Sequence, residues 1–593
     1  MAHSEGKRKQ RGEFKYRASI LLIWALFGLL SLRLVWLQGI ESKRYRKWAE
    51  DNRIRALRIQ APRGEIRDRE GEILAQDHPS YRISIIPSQF DRGEMTSLIK
   101  LLSLDPASIE EKINRPGLLP FESVILKRDV DLLTLCWLEE HGLSGVIYEL
   151  APRRFYPHGE ATAHLLGYVG QLSPGEYEKL KPLGYKYNSV IGRCGLEKEY
   201  ENLLRGRDGV EYWEVTALGK TVRRFEGKPS LPPQIGSELD LTLDIKLQRW
   251  IGKNFPDTLN GCVVAIDPQD GGVLALYSSP SFDPNLLSGV TQESTWLALR
   301  DNPRFPLLNR AIQATYPPGS TLKPLVAAAA LQEGLVEGST KLTPCGGGFR
   351  YGNRWFGCWK VHGSLDLKEA LIQSCDTYHY QLGLMLEVEG LSAYALKSGL
   401  GAKTNIDLPG EDQGLVSTTQ YLNQRYGRGN WTSGLVLNLA IGQGEILVTP
   451  LQMAVIFSAI ANGGYLYTPF LVRAIRGPDG FLKQLGTNHP QRLPFSSSVL
   501  ETIGEALVGV ANDERGTGQG AKLKDFVVAG KTGTAQNPHG LDHAWFVGYA
   551  PAGNPRITVA ILLEHGGHGG ASAAPLAGKI IGFYLREGQN EGI

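Results

Sequence analysis

The sequence predicts an α+β protein: one transmembrane helix, an elongated mixed α/β domain, then an antiparallel sheet packed against helical layers. Three observations carry this reading. An apolar run fills residues 18–40 behind a basic flank. Short apolar alternations broken by Pro and Gly follow it. Beyond the proline-rich stretch 226–238, strand patterns at both ends of a long segment enclose helical ones.

The apolar run "ASILLIWALFGLLSLRLVWLQGI" supplies the roughly 20 residues that a bilayer span requires. Arg33 lies late in it, where a long stem can reach the headgroups. The run ends in "LVWLQG", without the small-x-small pattern of a cleaved signal peptide. Residues 1–17 form a basic tail expected in the cytoplasm, which puts everything after residue 40 outside. The expected topology is a single pass through the cytoplasmic (inner) membrane with the bulk of the chain periplasmic or otherwise extracytoplasmic.

A chain of 593 residues has room for about three or four domains. Its 64 basic and 61 acidic residues leave a net charge of +3, which gives no support to nucleic-acid binding. Residues 41–235 form the first domain. It opens with strands and turns in "RIRALRIQAPRGEIRDREGEILAQD" and has helical runs at "TSLIKLLSL" and "LLTLCWLEEHG". Residues 236–585 form the second domain, and 586–593 a tail. Here "GCVVAIDPQDGGVLALYSSP" reads as a hairpin, 321–335 and 365–387 as helices, and "HAWFVGYAP" and "RITVAILLEHG" as the closing strands.

The chemistry centres on "YPPGSTLK", residues 316–323. Ser320 and Lys323 lie one helical turn apart, so hydroxyl and amine can be hydrogen-bond neighbours. The apolar helix that follows belongs in the domain centre, and its first turn favours developing negative charge. Taken alone, the stretch reads more readily as a capped helix with a surface lysine. Two further segments bear on it. "LIQSCDTYHYQ" carries Ser374 and Asp376, and "VVAGKTGTAQ" carries Lys531, Thr532, Gly533 and Thr534. In that order they correspond to the S-x-x-K, S-D-N and K-T-G set of penicillin-interacting enzymes, with S-C-D, ending in Asp and not Asn, as the middle motif.

The chain therefore resembles the class B penicillin-binding proteins, membrane-anchored D,D-transpeptidases that cross-link peptidoglycan. The likeness also rests on "APRGEIRDREG", "RRFYPHGEATAHLLGYVG", "GLEKEYENLLRG", "DIKLQ" and "GQGEILVTPLQMA". Asp376, at the third position of S-C-D, resembles the elongation type, penicillin-binding protein 2. The alternatives are a division-type relative or a membrane-anchored β-lactam sensor. The resemblance implies a serine penicillin-binding transpeptidase domain on a pedestal. Ser320 is then the nucleophile and Lys323 its base. Ser374 relays a proton to the leaving amine, and Asp376 fixes the network. Lys531, with Thr532 and Thr534 around Gly533, holds the substrate carboxylate. The N–H groups of Ser320 and Thr534 form the oxyanion hole. The implied partners are stem peptides of lipid-linked glycan strands, β-lactams, a SEDS-family glycosyltransferase (RodA-type) in the same membrane, and other elongation-machinery proteins. Catalysis itself needs no cofactor.

Cys345, Cys358, His362 and Cys375 cluster in the sequence, and three thiolates with one imidazole suit a closed tetrahedral zinc site. A disulfide between two of the three cysteines is the obvious rival reading outside the cytoplasm, and buried unpaired cysteines are the plainest one. Some elongation-type relatives carry zinc at matching positions on Asp, Asp, His and Cys. Here Cys345 and Cys358 stand where those aspartates are. His539, His543, His565 and His568 are read as structural or loop residues.

Overall fold

The computed structural model describes residues 2–45, 54–114, 123–185, 189–215, 221–289, 291–485 and 489–590. Helix α1, Ala2–Val35, runs on as a π-helical turn over Trp36–Ile40. Its stretch Phe14–Ile40 is long and apolar enough to cross a membrane. Trp24, Phe27 and Leu30 on it are exposed, so no protein core accounts for its hydrophobicity. One amino-terminal apolar helix fits a single-pass anchor.

The pedestal base contributes strands β1 (Ile66–Arg67), β2 (Ile73–His78) and β3 (Arg153–Phe155). Between β2 and β3 lies a head: a three-stranded sheet of Val124–Val130, Tyr81–Ile85 and Val146–Leu150. Its own core joins Ile83, Leu98, Leu102, Leu126 and Leu138. The helical runs expected here are Met95–Leu102 and Leu132–His141, the second capped by the Asp131 side chain on Thr134 N–H.

The pedestal base is held by charge that has left water. Glu197 is fully buried, 2.6 Å from both Arg63 and Arg154. Asp77 lies 3.3 Å from Arg154, and Glu201 2.9 Å from Arg63. Burial would raise the Glu197 carboxyl, but Arg154 and Arg63 outweigh it and hold it below the usual range. The three residues come from "APRG", "RRFYP" and "GLEKEYE", so the motifs of the amino-terminal half meet at this one carboxylate. Glu197→Gln keeps the shape and leaves two guanidiniums short of a buried counter-charge. It is expected to cost about 3–5 kcal/mol, the usual penalty for breaking a buried pair. An unaltered melting temperature would refute that.

The second domain begins with β4 (Glu238–Leu241) and α2 (Ile245–Asn254), followed by the hairpin β5 (Gly261–Ile266) and β6 (Val273–Ser279). Helix α3 is Lys323–Gln332, α4 is Leu367–Ile372 and α5 is Asp376–Lys397. Strands β7 (Val472–Arg476) and β8 (Leu482–Gln484) precede β9 (Ala529–Ala535), β10 (His543–Ala550) and β11 (Ile557–Leu563). The closing helix α6 is Ala573–Asn590, so helix continues past residue 585, where the sequence suggested a tail.

Two sheets organise this material. The five-stranded one has the order β6–β5–β11–β10–β9, antiparallel throughout. Its inner strands are buried along almost their whole length, which explains continuous apolar runs such as "ITVAILL". Helices α2 and α6 cover one face through Leu247, Ile251, Ile580 and Ile581. On the other face, Ala327, Phe457 and Leu507 pack with Val264 and Leu562.

The second sheet, β8–β7–β4–β1–β2–β3, crosses from one domain into the other. Strand β4 pairs parallel to β1 (Leu239 with Ile66) and antiparallel to β7. The pedestal base and the second domain also share one hydrophobic core.

The helix expected over 365–387 is broken. Asp366 and Glu369 form a capping box that starts α4. Ser374 then takes a left-handed backbone, φ 53°, which no α-helix accommodates, and α5 starts at Asp376. The helix expected over 321–335 begins as a tight turn at Gly319–Leu322 and becomes α-helical at Lys323.

Candidate active site

Three segments converge at the outer edge of β9. The first is the turn that carries Ser320. Trp545, fully buried on β10, donates its indole N–H to Pro317 O at 3.1 Å. Tyr316 exchanges backbone hydrogen bonds with Val448 and donates its hydroxyl to Glu564 at 2.6 Å, and Arg310 pairs with the same carboxylate at 2.9 Å. The Arg310–Glu564–Tyr316 chain thus anchors the residue that opens "YPPGSTLK".

Lys323 is fully buried at the start of α3. Its ammonium donates to Ser374 O at 2.8 Å, to Ser374 Oγ at 3.3 Å and to Asp376 Oδ1 at 2.6 Å. Lys531, also fully buried, donates to Ser374 Oγ at 2.8 Å and to Thr532 O at 3.0 Å. Ser374 Oγ therefore bridges two lysines, and its left-handed backbone is what turns it between them. Burial, and then the Lys323 charge beside it, hold the Lys531 ammonium well below the ordinary lysine range. Burial raises Asp376 despite the opposing pull of Lys323. Sequence spacing suggests a direct Ser320–Lys323 hydrogen bond. Among the described residues Lys323 spends its donors on Ser374 and Asp376 instead, and Ser320 stands half-buried one turn away.

Strand β9 is the sheet's open edge. Thr534 lies opposite Ala544, and its carbonyl accepts the Gln443 side-chain amide at 3.1 Å, so it faces away from β10. In an antiparallel ladder the N–H and C=O of one residue leave the same edge, so Thr534 N–H also faces the cleft. The Thr532 hydroxyl lies 2.6 Å from that of Thr517. At Gly533, a Cβ would come within 2.9 Å of the Thr321 methyl, which explains glycine there.

The cysteine cluster adjoins this site. The donor atoms of Cys345, Cys358, His362 and Cys375 lie within 4.8 Å of one another. His362 Nδ1 is 3.5 Å from the sulfurs of Cys345 and Cys358. Around a tetrahedral zinc with bonds of about 2.3 Å, sulfurs sit roughly 3.8 Å apart, so this donor set fits that ion. Asp376 N–H points at Cys358 Sγ, 3.3 Å away, which ties the cluster to the S-C-D segment through a second residue besides Cys375. Among the described residues the other histidines form no such group: His543 and His565 contact each other edge to face.

Three contributors carry no signal of their own in the sequence. Trp359, 60% exposed, donates its indole N–H to Ser374 O at 3.3 Å. Gln443 lies in "GQGEILVTPLQMA", a stretch that supports the family likeness without marking this side chain. Thr517 lies in a loop with no pattern to mark it.

A half-buried serine at the head of a buried helix, facing an open strand edge and a lysine–serine–lysine bridge, is the layout of the serine transpeptidases that penicillin inactivates. Residues 261–582 match the family described as penicillin binding protein transpeptidase domain, and residues 58–241 the penicillin-binding protein dimerisation domain. Peptidoglycan D,D-transpeptidase MrdA of Acinetobacter baumannii is 33% identical over 98% of this chain and 88% of its own length. The chain belongs to this MrdA family, the penicillin-binding proteins 2, and is an elongation-type serine D,D-transpeptidase. Its fold matches penicillin-binding protein 2 of Helicobacter pylori, solved in complex with MreC. That match has a TM-score of 0.80 and 28% identity, covering 90% of this chain and 100% of that one. A structure described as the structural coordination of polymerization and crosslinking by a peptidoglycan synthase complex matches with a TM-score of 0.70. It is 31% identical, over 95% of this chain and 97% of that one.

Proposed function

We propose that the protein cross-links peptidoglycan stem peptides outside the cytoplasmic membrane, through an acyl ester on Ser320, during cell elongation. The observation that carries this assignment of roles is the convergence of Lys323, Ser374 and Lys531 beside the Ser320 turn and the open edge of β9. Burial and the neighbouring Lys323 charge favour the neutral form of Lys531, which can draw a proton from Lys323 through Ser374 Oγ and so leave Lys323 as the base. Lys323 takes the Ser320 proton as Oγ attacks the penultimate D-Ala carbonyl. The N–H groups of Ser320 and Thr534 receive the negative charge that develops on oxygen. The C–N bond then breaks, Ser374 delivers a proton to the leaving amine, and D-Ala departs. An acceptor amine attacks the ester, its proton returns through Ser374 and Lys323, and Ser320 is regenerated. Lys531, Thr532 and Thr534 hold the donor carboxylate, with Thr517 orienting the Thr532 hydroxyl. A β-lactam is trapped at the ester stage.

Cys345, Cys358, His362 and Cys375 are assigned to a structural zinc, which would supply rigidity next to Ser374 and Asp376 and no chemistry to the reaction. The basic tail stays in the cytoplasm. The pedestal, residues 41–235, is the surface for elongation-machinery partners, among them a SEDS-family glycosyltransferase. The H. pylori relative bound to MreC and the synthase complex of like fold support this. The decisive experiment supplies a stem-peptide donor and an acceptor amine to the full-length protein and follows the cross-linked product together with released D-Ala. Hydrolysis alone, with no cross-link at any acceptor concentration, defeats the transpeptidase assignment.

A further inference from the structure

We propose that Gln443 is a positioning residue that sets the width of the oxyanion hole. Residues 442 and 443 follow the short helix Gly434–Ala440 and meet both sides of the hole at once. On one side, Gly319 N–H donates to Gly442 O at 2.9 Å, which fixes the Pro318–Gly319 peptide, one ahead of the peptide that carries the Ser320 N–H. On the other, the Gln443 carboxamide donates to Thr534 O at 3.1 Å. Thr534 O and Thr534 N–H leave the same edge of β9, so holding one aims the other. Gln443 is itself held, because its backbone N–H donates to Asn438 O at 2.9 Å.

The close approach needs glycine. Gly442 has φ +72°, and a Cβ there would lie 2.1 Å from Gly319 O. A Cβ on Gly319, φ +55°, would lie 2.8 Å from Thr534 O. Three backbones therefore meet at one point, and Gln443 is the side chain that joins the third to the other two. A carboxamide suits this position because it donates to a carbonyl and carries no charge into a site with two lysines. Gln443 touches none of the reacting atoms. It acts through the separation of the Ser320 and Thr534 N–H groups, whose worth depends on reaching 2.7–3.1 Å from the developing oxyanion.

The inference rests on those two N–H groups forming the oxyanion hole. The test uses detergent-solubilised full-length protein with Gln443→Glu, which keeps the size and loses the donor, and Gln443→Met. A chromogenic cephalosporin separates initial binding from the acylation step, and vibrational difference spectroscopy reads the ester carbonyl of the acyl-enzyme. The acylation step is expected to slow about 10- to 100-fold, a part of what losing a whole oxyanion donor costs. Initial binding and melting temperature should stay near wild type. The ester carbonyl band should move to higher wavenumber as its hydrogen bonds lengthen. Wild-type acylation rates in both variants would overturn the proposal. So would slower acylation with the band unmoved, because a purely structural role produces that pattern. Should Gln443→Met not fold, Gln443→Leu, equally uncharged and without a donor, takes its place. Peptide mapping keeps the two readings apart: no adduct on Ser320 in the wild type defeats the site assignment, whereas a Ser320 adduct with unaltered variants defeats only the role of Gln443.

Discussion

Incubated with a labelled penicillin, the full-length protein gains the mass of one drug molecule on the peptide containing Ser320, and Ser320→Ala gains none. The loss should be complete, because among the described residues no second nucleophile shares the position: Ser374 Oγ accepts hydrogen bonds from Lys531 at 2.8 Å and from Lys323 at 3.3 Å. Ser320 is half-buried, and among the described residues removing its hydroxyl leaves no buried partner unpaired, so the variant should melt with the wild type. Lys323→Ala is a graded companion. General-base removal slows proton transfer by roughly 100- to 10,000-fold, and slow labelling at Ser320 should persist. Labelling of Ser320→Ala at the wild-type rate would move the nucleophile elsewhere.

Protein purified without added metal is expected to hold close to one zinc per chain, and Cys358→Ser to hold none. Of the four proposed ligands Cys358 has the widest reach, since it also receives the Asp376 N–H at 3.3 Å. Its loss therefore loosens the start of α5 as well as the loop 345–362. The melting temperature should fall by several degrees, and acylation should slow on the order of tenfold, within the range seen when residues supporting a site are removed. A chelator should reproduce the stability loss in the wild type, while mild reductant should leave it alone. The disulfide alternative inverts both results: metal-free protein, lighter by two hydrogens, insensitive to chelator and weakened by reductant.

The parts of the fold carried by local periodicity are legible in the sequence. The apolar anchor, the hairpin at 261–279, the strands "HAWFVGYAP" and "RITVAILLEHG", and the buried helix after Ser320 each follow from spacing or composition alone. The parts decided by contacts remote in the chain are not. Strand β1 is two residues long and carries no alternation, yet it orders β4 beside it. Spacing pairs Ser320 with Lys323, but Lys323 finds its partners 51 and 53 residues further on. The break at Ser374 is invisible in "LIQSCDTYHYQ", which reads as unbroken helix until the left-handed residue is seen between its two lysines. Gln443 sits in a stretch that carries the family likeness, but nothing local shows what it does, because its partner is a backbone carbonyl 91 residues away.

The sheet that runs from β8 to β3 bears on how this chain can be inherited and cut. Strand β4 is covered on one edge by residues 66–67 and on the other by residues 472–476. The carboxy-terminal segment is therefore not a free-standing cassette. Expressed from residue 236 onward, it would expose the edge of β4 and part of a common core as a seam for aggregation. Recombination between relatives meets the same obstacle: a crossover near residue 235 would set a foreign β1 against a native β4. Soluble fragments should start before Ile54, and gene exchange that respects the fold should carry the base of the pedestal together with the catalytic half.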